Sequence, residues 1–177
     1  MKTCIAFIIM MFATLSDTVS AQPVATVIKT QAIEMGKALV NNDMVTFKKY
    51  MHPDLIAAGG GEEKLTVMAD SAILLFKSMG GTVNKIFFGN PGEIISFKNE
   101  LQTSLPQTIY LSTVFADVEF QSTLLAVSKD GGKNWYFIDT SLFKESDLRK
   151  KLPDISPSIE IPPVSKPKIT PKAKANG

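Results

Sequence analysis

Two adjacent glycines, Gly80-Gly81, separate a half of the chain with helical hydrophobic spacing from a half with strand spacing. No single helical or all-β layer accommodates both, so an α+β fold is predicted. Ahead of the glycines, Ile28, Ala32, Met35 and Leu39 recur at steps of four, three and four, predicting a helix over residues 23–40 with Pro23 in its first turn. Asn41-Asn42 ends it, and Asn42 or Asp43 can cap a short second helix over 43–51, which Pro53 terminates. After Gly59-Gly60-Gly61, the stripe Leu65, Met68, Ala69, Ala72, Phe76 and Met79 predicts a third helix over 62–79. Its first-turn acids Glu62 and Glu63 suit the helix dipole.

Past Gly81 the sequence is β-rich. Strands are predicted over 82–88, 93–98, 101–114, 118–128 and 134–139, with a bend or bulge at Pro106. Gly89-Asn90-Pro91-Gly92 and Lys129-Asp130-Gly131-Gly132-Lys133 are the turn signals. A short helical turn starting at Ser141 or Glu145 runs to about residue 152. The expected architecture is three N-terminal helices on a curved antiparallel sheet of about five strands, one domain over residues 22–155.

The two ends of the chain differ from this middle. Lys2 precedes an almost wholly apolar run from Cys4 to Ala13, and Val19-Ser20-Ala21 closes it with small or short residues. That order predicts a secretory signal peptide over 1–21, cleaved near Ala21, and an exported protein, periplasmic or secreted. The apolar run falls short of the roughly 20 residues that span a bilayer, and Cys4 precedes rather than follows it, so no transmembrane or lipid anchor is expected. Cleavage would remove the single cysteine, and with it any disulfide, thiol nucleophile or Cys-based zinc site. Residues 156–177 are read as a Pro/Lys-rich disordered tail. Its lysines Lys166, Lys168, Lys172 and Lys174 could touch an anionic envelope component. The whole chain carries a formal net charge of only +2, which gives no argument for nucleic acid.

The middle resembles a known superfamily through three segments: Ala38-Leu39-Val40-Asn41-Asn42-Asp43, Tyr50-Met51-His52-Pro53-Asp54, and Leu125-Ala126-Val127-Ser128-Lys129-Asp130-Gly131-Gly132-Lys133-Asn134-Trp135-Tyr136-Phe137-Ile138-Asp139. With the order of elements, these resemble the nuclear-transport-factor-2-like superfamily, the SnoaL-like or cystatin-like cone, and its small exported bacterial members in particular. The resemblance covers about residues 24–140. It implies a cone with a pocket between helices and curved sheet, and homodimers through the open sheet face. It implies no single activity, since isomerases, dehydratases and binding proteins share the shape.

Candidate chemistry is sparse. Tyr50, His52, Phe76, Tyr110, Trp135 and Asp139 are the pocket candidates, and no set of them stands at the spacing of a catalytic motif. His52, the single histidine, suits a helix terminus better than general acid–base work. The pattern Ser128-x-Asp130-x-Gly132-x-x-Trp135 matches an Asp-box, but it occurs once and reads as a hairpin device: a carboxylate on turn amides with Trp135 beneath. No metal site and no cofactor is expected. Methionines on the helix faces, Met44, Met51, Met68 and Met79 among them, offer adaptable packing in a core or a pocket. The expectation is a non-catalytic exported domain that binds an apolar small molecule or a protein partner. The alternatives are a small pocket enzyme of isomerase or dehydratase type, or an envelope adaptor working through its basic tail.

Overall fold

The structure, a computed structural model, describes residues 21–172. The expectations for the leader segment and for Lys174 lie outside them. The first helix, α1 (Ala21–Val40), carries the stripe Val24, Ile28, Ala32 and Met35 into the core. It ends in a Schellman motif: Asp43 N–H bonds to Ala38 O at 2.8 Å and Asn42 N–H to Leu39 O at 3.1 Å, with Asn42 left-handed at φ 58°. Asp43 then caps α2 (Met44–Lys48), accepting from Thr46 N at 3.0 Å.

Pro53, expected to stop a helix, instead opens α3 (Pro53–Ala58) from its first position, where a missing N–H costs nothing. The cap is His52, whose Nδ1 accepts from Asp54 N. Next comes α4 (Glu62–Ser78), which ends at Gly80 with φ 68° and a bond from Gly81 N to Phe76 O. Helix α5 (Glu145–Lys151) follows the sheet and a single 3-10 turn at Thr140–Leu142.

The strands are β1 (Thr82–Phe88), β2 (Ile95–Phe97), β3 (Glu100–Ser112), β4 (Ala116–Ser128), β5 (Tyr136–Asp139) and β6 (Lys168–Pro171), all antiparallel in one open sheet. Among the described residues the fold is therefore α+β with five α-helices and six strands, where the sequence pattern predicts three and about five. The paired strands β3 and β4 form the spine, in unbroken register from Leu101 opposite Ser128 to Ser112 opposite Asp117. On the free side of β3, β2 and β1 lie in tandem. On the free side of β4, β5 and β6 do the same.

The irregularity predicted at Pro106 falls instead at Asn84, where β1 slips register between Val83 and Lys85. Pro106 sits where β3 changes partner. Its carbonyl accepts from Gly89 N at 2.8 Å on the outer side, so its missing N–H faces away from β4 and breaks no bond in the spine.

Alternation along β4 sends Leu124 and Ala126 to one face and Leu125 and Val127 to the other. The first face packs on α1 with Phe88, Leu105, Trp135 and Phe137. Gly36 marks the closest approach of α1: a Cβ there would lie 2.9 Å from the Phe88 ring. The second face packs on Leu148 and Leu152 at α5 and on Ile155 and Ile159 beyond it. Gln102, fully buried, pins this segment by donating to Asp154 O at 2.7 Å and accepting from Ser156 N at 2.8 Å. Arg149 donates to the carbonyls of Ser156 and Ile159. Part of the stretch expected as tail thus belongs to the domain: Ser156 and Ile159 are buried, and β6 pairs with β4.

Candidate functional site

An apolar cavity of about 360 Å³ opens on the α1 side of the sheet. Met35 and Leu39 of α1, Phe47 of α2, Met51, Leu55 of α3 and Leu65 of α4 line its helical wall. Ile86, Ile109, Leu124 and Phe137 supply the sheet floor. The 3-10 turn and α5 add Leu142, Phe143 and Lys151. Met51 ties the two walls together. It bridges Phe137 in parallel, and Tyr50 O accepts from Phe137 N at 2.7 Å, so the chain after α2 is stitched to the edge of β5.

Two polar side chains, Gln107 and Asp139, stand on the floor and are bonded to each other. Gln107 Nε2 donates to Ser122 Oγ and to Asp139 Oδ2, each at 2.8 Å. Asp139 Oδ1 accepts from Ser141 N at 2.9 Å. With both its oxygens engaged, Asp139 is tied into the floor and is not aimed at a guest.

Of the six sequence candidates, Asp139 alone lines this cavity. Tyr50 packs against Phe137, ring centroids 6.3 Å apart, and its hydroxyl donates to Glu34 Oε2 at 2.5 Å. Burial first, and then that bond, push its pKa up to about 12. His52 is 4% exposed and lies against a separate cavity of about 20 Å³, room for a water molecule and no more. Burial drives its pKa down to about 4, helped by Lys129 and opposed by Asp54, so the ring is neutral near pH 7. Its edge meets Tyr136.

Trp135 is buried under the hairpin turn, Nε1 donating to Gly132 O at 3.0 Å. Above it Asp130 accepts from Asn134 N, Lys133 N and Asn134 Nδ2, bonds that hold its carboxyl down at about 2. Phe76 is half-buried on α4, where its ring lies against Gly81. Tyr110 alternates to the opposite face of the sheet, beside Asp117 and Lys168.

Gln107, Phe47 and Lys151 escape a reading by motif. The cavity draws its lining from nine elements and the turns between them, so no spacing announces it. Among these three, Gln107 does carry a signal: an amide at an inward position between Leu105 and Ile109. Of the tail lysines, Lys172 pairs with Asp117 at 3.1 Å and donates to Thr113 O, while Lys166 and Lys168 are exposed.

Among the described residues, no group of three or more His, Cys, Asp and Glu side chains could hold a metal ion, and no helix is long and apolar enough to cross a membrane. Comparison with known proteins finds no match to a family model, to a curated protein or to a solved structure.

Proposed function

We propose that this chain is an exported domain of nuclear-transport-factor-2-like shape that binds an apolar small molecule between its helices and its sheet. The cavity carries the reading: about 360 Å³ lined by aliphatic, aromatic and methionine side chains, within the roughly 300–1,000 Å³ of ligand pockets. The Asp139 carboxylate is engaged by Gln107 and by the Ser141 N–H, which suits an apolar guest better than a reacting one. Met35 and Met51 give the lining adaptable shape. Export rests on the order of charged, apolar and small residues over 1–21.

The test is titration with the neutral dye Nile red, alongside native mass spectrometry of protein taken from its own cell envelope. Saturable binding that falls at least tenfold in Ile109→Trp, a variant that fills the cavity, is expected. A wild-type protein that binds neither dye nor any co-purified molecule would remove the reading.

A second reading, contact with a protein partner, is favoured by α4. Its outward residues Val67, Met68, Leu74 and Leu75 are exposed, as is Met79 just past its end, and none of its residues is buried. The open sheet face bearing Phe87 and Tyr110 is where a homodimer would form.

A further inference from the structure

We propose that the guest is a single-chain anionic amphiphile, its tail in the apolar cavity and its carboxylate or phosphate held outside by Lys144, Lys150 and Lys151. This rests on the reading of the cavity as a binding site. Beside the cavity lies a second depression, lined by Lys144, Asp147 and Lys150 together with Leu142, Phe143 and Lys151. The last three line the cavity as well, so one set of side chains borders both spaces. Leu142 is 73% exposed at that border, an apolar residue held in solvent where a tail would pass.

The charges there are unspent. Arg149, the neighbouring cation, is consumed by Glu145 and by the carbonyls of Ser156 and Ile159. Among the described residues, no ion pair or hydrogen bond of the side chain engages Lys144, Lys150 or Lys151. Asp147 is the one acid lining the depression, so three cations outweigh it. The opposite sign stands on the cavity floor, where Asp139 would repel a buried anion. Apolar walls, an acid inside and lysines outside thus fix the orientation: tail in, anionic head out. Burial of the tail supplies affinity, and the lysines select the head.

Displacement of Nile red from the purified protein at low ionic strength tests this. The competitors share one lauroyl chain: laurate, dodecanol, monolaurin and lauroyl lysophosphatidylglycerol. Laurate and the lysolipid should compete about tenfold better than dodecanol and monolaurin. That preference should collapse in Lys144→Gln/Lys150→Gln, which touches the depression and not the cavity lining, and in high salt, with dodecanol unchanged. A lysolipid that outcompetes laurate assigns a membrane source, and the reverse order assigns a free acid; both keep the anionic head. Equal competition by all four would overturn the head assignment and leave the cavity standing. Failure of dye and competitors alike would overturn the cavity reading beneath it.

Discussion

The two halves of the β3–β4 spine share one ladder and differ in everything laid upon it. Along β4 all five residues from Leu124 to Ser128 are buried, whereas none of the eight before them is. The buried half has α1 on one face and α5 with the segment to Ile159 on the other. The other half carries Tyr110 and Phe87 toward solvent on one face, and α4, itself without a buried residue, lies beyond the cavity. Thirteen residues of strand reach about 43 Å, longer than the roughly 30 Å of a 20-residue helix, so α1 cannot roof the whole spine. Hydrogen bonding builds the sheet over its full length, but stability concentrates where side chains from elsewhere seal both faces.

Mutation should expose that inequality. Leu125→Ala, in the doubly covered half, should cost about 2–5 kcal/mol in urea unfolding, against under about 1 kcal/mol for Tyr110→Ala. Equal losses would mean that the spine responds as one unit.

The next largest effect belongs to His52, whose folded pKa of about 4 lies below the ordinary 6.5. The unfolded chain binds a proton more readily across that interval, so stability is fully present above pH 6.5 and is lost as pH falls toward 4. The loss should reach roughly 3 kcal/mol at most, and His52→Gln should flatten the slope. A slope unchanged in that variant would shift the origin to the carboxylates.

The smallest effect is expected where β6 is attached. Lys172→Ala removes an exposed ion pair with Asp117 and should cost under about 1 kcal/mol, less again in high salt. A loss as large as that at Leu125 would show β6 to be structural in the same degree as α5.

Local signals in the sequence carried much of the fold. Asn42 and Gly80 supply left-handed caps, Asp43 a side-chain cap, and Asp130 with Gly131 and Gly132 a hairpin, each acting on neighbours within five residues. Pro53 was ambiguous because the same ring that ends one helix suits the first turn of the next. β6 was invisible because its pairing uses backbone groups on β4, and Pro-rich sequence shows no period of two. Ser156 and Ile159 are buried by Gln102 and Arg149, partners tens of residues away or around a turn, which composition does not register. The cavity was legible at Asp139 and through the possibility of a methionine-lined pocket. Its lysine rim lies on a helix whose charges read as ordinary solvated surface.

The tandem arrangement of short strands along both sides of the spine bears on self-association. The outer strands measure seven, three, four and four residues, while the two thirteen-residue strands have neighbours on both sides. A strand from another molecule seeking a partner would meet a template no longer than β1, which is itself kinked at Asn84. Met51 already occupies the rim of β5, and Pro171 closes β6. The most β-prone stretches of the chain are thereby held where strand addition, the first step toward a fibril, finds no long straight edge to copy.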